Sequence, residues 1–242
     1  MSEFDAFFKS AFSVDCVVFG FDESDLKVLL IKRAAAPYKE HWALPGDLVY
    51  PDENLDDSSA RVLEELTGLE NVYLEQVNTF GAVDRHPAGR VITIAYYSLI
   101  KTAAYNINAS SFAEEVRWHS VADAREMNLA FDHNHILQAC YTRLQRRVRI
   151  EPIGFELLPR KFTLTEMQAL YEAILETQLD KRNFRKKILS MNLLVDLKET
   201  QAGVAHRPAK LYSFDEKKYL RLRKEGFYFE ITSPKVLARA AR

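Results

Sequence analysis

The stretch richest in potential chemistry is residues 44–69, LPGDLVYPDENLDDSSARVLEELTGL, which carries Asp47, Glu53, Arg61, Glu64 and Glu65. Carboxylates at i, i+3 and i+4 of a helix share one face. Such a face can hold Mg2+ beside substrate phosphates, because that ion takes hard oxygen ligands. Here positions 62, 65 and 66 are Val, Glu and Leu. One carboxylate between two aliphatic residues cannot assemble a multi-metal phosphate site. Moving the register by one gives Arg61, Glu64 and Glu65, which adds a carboxylate but brings a cation onto the same face. The plainer reading is that Arg61 and Glu65 pair at i,i+4, worth only about 0.2–0.5 kcal/mol if exposed, and that Glu53 caps or solvates its loop. No metal and no cofactor is expected.

A second candidate is residues 180–190, DKRNFRKKILS. Lys181, Arg182, Asn183, Arg185, Lys186 and Lys187 crowd one short helix, with Phe184, Ile188 and Leu189 as its buried stripe. Arg matches guanine and Asn matches adenine in the major groove. The remaining cations would bind phosphates and make affinity salt-dependent. A basic helix alone is equally well a solvated face, so its neighbours decide. Lys161, Thr163 and Thr165 sit at the start of the preceding helix, where backbone N–H groups can meet a phosphate. His206, Arg207 and Lys210 would line a following hairpin.

Other polar residues offer less. His133 and His135 have no further ligands nearby in sequence and are expected to cap a helix. Cys16 and Cys140 are expected to be buried apolar residues, and Trp42 and Trp118 packing residues. No Walker A, Rossmann or G-x-S-x-G signature occurs.

These candidates need elements to hold them. Residues 15–21 and 27–33 are apolar, β-branched runs around Asp22–Asp25 and read as a hairpin. Residues 54–67 read as a helix between an Asn54 N-cap and Gly68. Residues 71–83 and 90–99 read as strands, the second buried on both faces, and 134–148 as an amphipathic helix. After Pro152 and Pro159 the pattern changes. Thr163 and Glu166 form a capping box ahead of a helix over 164–176. Its apolar stripe is Leu164, Met167, Leu170, Tyr171, Ile174 and Leu175. Asp180 caps a second helix over 181–190, and 193–198 and 209–214 are short strands. Helix, turn, basic helix and hairpin are the order of a winged helix-turn-helix.

The 242 residues are 48% hydrophobic and 28% charged, an ordinary globular balance sized for one large or two modest domains. The net charge of -1 hides an asymmetry. Residues 1–150 carry 15 Lys/Arg against 22 Asp/Glu, and residues 151–242 carry 18 against 12, so an acidic half (-7) precedes a basic one (+6). The basic half is suited to a polyanion. Two cysteines exclude a disulfide framework. No apolar run approaches the roughly 18–20 residues of a membrane span, and the first 15 residues are not signal-like. A cytoplasmic protein with no membrane partner is expected.

Residues 44–69 resemble the Nudix box, G-x5-E-x7-R-E-U-x-E-E-x-G-U, with Glu53, Arg61, Leu63, Glu65, Gly68 and Leu69 in register. Asp47 stands where the box has glycine, and Val62 and Leu66 where it has glutamate. Residues 80–97, FGAVDRHPAGRVITIAYY, look like the segment that follows the box in ADP-ribose pyrophosphatase-like members. There a strand enters a polar loop over the substrate cleft, which would place Asp84, Arg85 and His86 over the same cleft as Glu53 and Glu65. Residues 157–188, LLPRKFTLTEMQALYEAILETQLDKRNFRKKI, and the later RPAKLYSF closely resemble the winged helix of Nudix-related transcriptional regulators. Some of these, the NrtR group, respond to ADP-ribose or related compounds. Others, the arabinose regulators called AraR, respond to sugars.

The resemblance implies an α+β fold: an α/β/α Nudix-type sandwich over 1–150, a winged helix-turn-helix over 151–226, and a tail over 227–242 without assigned role. It implies a homodimeric repressor of duplex operator DNA that a small molecule releases, with hydrolytic chemistry lost. The effector site is expected at Lys32, Asp47, Glu53, Glu65, Asp84, Arg85 and His86. The acidic charge of this half and its lost metal face argue against a diphosphate and for a neutral sugar, with an arabinose-like pentose favoured. ADP-ribose with control of NAD metabolism, or an active pyrophosphohydrolase, is the alternative.

Overall fold

The computed structural model describes residues 10–22, 25–102, 105–203 and 207–231. The chain forms two compact units, and the division falls between Arg143 and Leu144, inside one helix.

The first unit is built on a seven-stranded sheet of β1 (Ala11–Phe21), β2 (Leu26–Arg33), β3 (Trp42–Ala43), β4 (Gly46–Leu48), β5 (Glu75–Phe80), β6 (Val91–Lys101) and β7 (Ala113–Ser120). The path runs β3-β2-β1-β6-β5, with β4 paired to β1 and β7 to β2. Among the described residues only β1 and β6 pair in parallel, in register from Ala11↔Val91 to Phe21↔Lys101. Residues 13–21 of β1 are all buried, so both faces of the sheet are covered there. Val14, Cys16 and Val18 join Val62, Leu63 and Leu66 of α1 (Leu55–Thr67) in one core. On the other face, Phe19 meets Tyr141 of α3 (His133–Ile150), their ring centroids 6.4 Å apart. A helix on each face gives the expected α/β/α sandwich. A short helix, α2 (Val121–Glu126), follows β7.

Helix α1 starts after Asn54, whose side chain makes no capping bond, and ends at Gly68, whose φ of 72° is a left-handed stop. Sequence periodicity places most of these elements but misses β3, β4, β7 and α2. Strand β7 (AEEVRWHS) alternates charges with larger residues, is only partly buried, and lacks the apolar run that marks a central strand.

The second unit contains a 3-10 turn at Pro152–Glu156, α4 (Leu164–Leu175), α5 (Lys181–Ser190), the hairpin β8 (Leu194–Thr200) and β9 (Lys210–Phe214), and α6 (Glu216–Lys224). The capping box forms as anticipated: Glu166 N–H donates to the Thr163 hydroxyl, and Thr163 N–H to the Glu166 carboxylate. The six residues of the apolar stripe are the buried residues of α4. Phe162 and Tyr212 exchange backbone bonds of 3.0 and 2.8 Å, adding a short third rung to the hairpin. Phe155 stacks on Phe214 at 4.2 Å beneath it.

The sequence reading names no element after residue 214 and assigns no role to residues 227–242. Residues 216–224 are helical, and Phe229 and Ile231 are buried, with Ile231 N–H bonded to Arg149 O at 2.8 Å. Helix α6 escapes a periodicity search because none of its residues is buried.

Candidate functional site

The first unit contains a cleft of about 500 Å3, within the range of small-molecule sites. Its floor is the start of β1. Asp15 is buried and holds three partners: Thr93 donates to it at 2.7 Å, Arg85 at 3.3 Å, and His133 Nε2 lies 3.3 Å away. Leu44 N–H donates to His133 Nδ1 at 2.9 Å, which leaves the ring hydrogen on Nε2, facing Asp15. His133 is therefore a buried strut between the 44–46 turn and β1, not the helix cap anticipated from sequence. Burial pushes the Asp15 carboxyl up, yet His133, Thr93 and Arg85 outweigh it and hold the group below the ordinary carboxylate range. The 44–46 turn requires glycine, since a Cβ at Gly46 would stand 2.0 Å from Asp15 Oδ1.

The cleft is locally cationic. Arg33, Arg85 and Arg90 line it, with Asp15 and Asp47 as its carboxylates. The Arg33 guanidinium lies 5.4 Å from the centroid of Phe112 and 5.1 Å from that of Phe131. His86 stacks on Phe131 at 5.1 Å and 12°. Burial first, and then the charges of Arg85 and Arg33, hold His86 below its ordinary pKa. The net charge of a domain thus does not describe its cleft: a net of -7 coexists with Arg33 and Arg90 on one cavity, where Arg85 is already paired with Asp15 and Asp132. The net charge of the domain therefore gives no support to a neutral ligand over an anionic one.

Of the seven residues expected at the effector site, Asp47, Arg85 and His86 line the cleft; Lys32, Glu53, Glu65 and Asp84 are not among its lining residues. Arg61 accounts for two of these. It donates to Glu53 through Nε and Nη2, to Glu65 at 3.1 Å and to Leu48 O at 3.0 Å, and it lies 4.0 Å from the Tyr50 ring centroid. Hydrogen bonds from Arg61 hold the Glu53 carboxyl down at about 2. Lys32 pairs with Glu114 at 3.7 Å, and Asp84 is exposed. The sequence reading missed Asp15, Arg33, Arg90, Phe112 and Phe131, which lie far apart in the chain.

The Nudix fold implies a divalent metal on α1, and the donors do not fit one. Val62 and Leu66 are fully buried in the core, and Glu65 is held by Arg61.

In the second unit α4 and α5 form a helix-turn-helix. Gln168 donates to Leu179 O at 2.9 Å, and Leu179 N–H to Glu172 Oε1 at 2.7 Å, so two α4 side chains tie down the turn that aims α5. Asp180 accepts Asn183 N–H at 2.8 Å and starts α5. Phe184 and Ile188 face inward, while Lys181, Arg182, Asn183 and Lys186 are exposed. Arg185 is partly buried and donates to Thr165 at 3.0 Å, linking α5 to the start of α4. Thr163 is buried and its hydroxyl is taken by the capping box, which removes it from a phosphate-binding role. Lys161 pairs with Glu199 at 2.5 Å and Lys210 with Asp196 at 3.2 Å; Arg207 is exposed. His206 lies outside the described residues.

Comparison with known proteins agrees with this division. Residues 9–140 match the NUDIX domain family, and residues 154–214 match the NrtR DNA-binding winged helix domain. The chain is 37% identical over 204 residues to the ADPR responsive transcriptional repressor NtrR of Acinetobacter baylyi, covering 84% of this chain and 81% of that one. Its structure is similar to that of Shewanella oneidensis NrtR complexed with a 27mer DNA, with a TM-score of 0.72 and 31% identity over 84% of this chain and 93% of that one. It is also similar to the NUDIX domain of Shewanella oneidensis NrtR complexed with ADP ribose, with a TM-score of 0.53 and 30% identity over 60% and 99% of the two chains. A Nudix domain followed by a winged helix is the class these units define. The chain belongs to the NrtR family. No helix among the described residues is long and apolar enough to cross a membrane.

Proposed function

We propose that this chain is a DNA-binding transcriptional repressor released from its operator by ADP-ribose. The observation that carries the DNA half is the exposed face of α5: Lys181, Arg182, Asn183 and Lys186 stand on the second helix of a helix-turn-helix. An Arg and an Asn in adjacent exposed positions can read base edges, while Lys supplies phosphate contacts. The effector half rests on the cleft. A diphosphate needs cations, and Arg33 and Arg90 line it; an adenine needs a flat apolar wall, and Phe131 with His86 offers one. The relative named as ADPR responsive and the NUDIX domain complexed with ADP ribose support the same ligand. The arabinose reading has no such support and gives way to it.

The cleft is read as binding ADP-ribose without cleaving it, because positions 62 and 66 of α1 are buried Val and Leu and Glu65 is held by Arg61. The repressor is read as a homodimer, whose two-fold axis would match a palindromic operator. Release is a population shift: ADP-ribose must bind the DNA-free form more tightly than the bound form, or it moves nothing.

Fluorescence anisotropy tests this. Duplexes from the gene's own neighbourhood are titrated with protein at fixed salt, then with ADP-ribose, with L-arabinose as control. Sequence-specific binding reversed by ADP-ribose alone is expected. Absence of specific binding, or reversal by the sugar instead, refutes the proposal. Phosphate-product release on incubating ADP-ribose with protein and Mg2+ would return the cleft to hydrolysis.

A further inference from the structure

Helix α6 has no part in the function so far. It begins two residues beyond the winged-helix match, which ends at residue 214. Its sequence, EKKYLRLRK, holds five cations and one carboxylate. The Asp215 carboxylate before it is taken as N-cap, accepting Lys218 N–H at 2.9 Å. Glu225 follows its last residue.

The helix has an inside and an outside. Tyr219 meets Phe214 of the wing at a centroid distance of 6.0 Å, and Leu222, three residues on, is partly buried. At 100° per residue, Lys217, Arg221 and Lys224 fall within an arc of about 60° on the opposite side. Lys217 and Lys224 are exposed, as is Arg221. None of the three forms an ion pair among the described residues. Like charges at i,i+4 destabilise a helix, so this face is strained electrostatically until an anion meets it.

The element is also fixed in place. Asp215 N–H donates to Leu193 O at 2.9 Å before it. After it, Phe229 and Ile231 are buried and Ile231 N–H reaches Arg149 O. A helix with no buried residue of its own is thus held at both ends. Holding a cationic face still lowers the entropy cost of using it.

We propose that α6 is a second, sequence-independent DNA-binding element, in which Lys217, Arg221 and Lys224 hold backbone phosphates in addition to those held by α5. The occupant is duplex DNA because this face offers Lys and Arg ammonium and guanidinium groups in a row and carries no aromatic residue of the kind single-stranded nucleic acid stacks on; Tyr219 lies on the opposite side of α6, and the exposed Tyr228 lies beyond the helix. The inference rests on the DNA-binding reading of α5.

The test compares the full chain with a triple variant, Lys217→Gln, Arg221→Gln and Lys224→Gln, on an operator duplex and on an unrelated duplex across a salt series. Three lost phosphate contacts should lower the slope of log K against log salt by about 2–3. Both duplexes should weaken by the same factor, so their affinity ratio stays constant. The charge-keeping variant Lys217→Arg, Arg221→Lys, Lys224→Arg should restore the slope, which separates charge from folding. An unchanged slope overturns the proposal. So does a variant that loses discrimination between duplexes, or one whose effect appears with single-stranded RNA and not with duplex DNA. If the unaltered chain binds both duplexes equally, the repressor reading fails while the slope still decides α6. If it binds neither, both fail.

Discussion

Arg85 closes on Asp132 with a two-pronged ion pair, Nε 3.0 Å from Oδ2 and Nη2 2.7 Å from Oδ1, across 47 residues of chain. The same guanidinium reaches Asp15. One buried cation therefore serves two carboxylates and joins the loop after β5, the first strand and the start of α3. Arg suits this role because its planar fork meets a carboxylate through two bonds at once.

Removing that cation should be costly. In Arg85→Ala, Asp132 loses its two-pronged partner and Asp15 keeps only Thr93 and His133. Breaking a buried pair by deleting one member destabilises by about 3–5 kcal/mol. Arg85→Lys should recover only part of it, since an ammonium cannot make the two-pronged contact. Urea unfolding of the three proteins at neutral pH measures this. A loss below about 1 kcal/mol in the alanine variant would mean the network is solvated and does not hold the cleft.

Asp15 also fixes the direction of an acid response. Its carboxyl is held below its ordinary value in the folded chain. Its stabilising contribution is therefore complete above the unfolded value of about 3.9. It is lost as pH falls through the folded value. Asp15→Asn should be less stable than the parent at pH 7 and should show a flatter fall in unfolding free energy below pH 4. Parallel pH profiles for the two proteins would remove Asp15 from the linkage.

His86 supplies the opposite case for ligand binding. Burial, Arg85 and Arg33 keep its pKa below the ordinary 6.5. An anionic diphosphate near it would raise that value, so the complex would take up a proton. Linkage then makes ADP-ribose bind more tightly as pH falls from 7 toward 5, while the diphosphate stays ionised. Calorimetry in buffers of different ionisation heat would report the proton directly. His86→Asn should flatten the dependence, and Arg33→Gln should weaken binding at every pH. A pH-independent affinity in the parent would place the phosphates away from His86.

These residues also mark what the sequence can reveal. The helix-turn-helix is legible because its determinants are local. Thr163 and Glu166 sit three residues apart, the α4 stripe repeats every three to four, and Asp180 precedes its helix directly. The cleft is not local. Asp15 looks like one polar residue inside an apolar strand, Arg33 like the end of another, and Phe131 and His133 like a helix start. Only the parallel pairing of β1 with β6 brings Thr93 beside Asp15. The carboxylates of residues 44–69 draw attention by type, yet Arg61 satisfies Glu53 and Glu65 within their own segment. Net charge misled for a related reason: it averages over a surface, whereas a ligand meets the few groups of one cavity.

The exposed end of α5 should divide cleanly into reading and holding residues. Arg182 and Asn183 have the side chains that make two-bond contacts with guanine and adenine. Alanine at either should cost about 1–3 kcal/mol on the operator and much less on unrelated duplex, so the specificity ratio falls. Lys181→Ala and Lys186→Ala should weaken both duplexes alike and lower the salt slope by about 1 each. Arg185 belongs to neither group, because its contact with Thr165 is internal. Arg185→Ala should tilt α5 and reduce specific binding, and Thr165→Val should do the same to a smaller degree, although neither hydroxyl nor guanidinium need touch a base. Anisotropy with operator and unrelated duplexes at two salt concentrations resolves all three behaviours. If Lys186→Ala abolished discrimination while Arg182→Ala and Asn183→Ala left it intact, the base-reading edge of the helix would lie one turn further along.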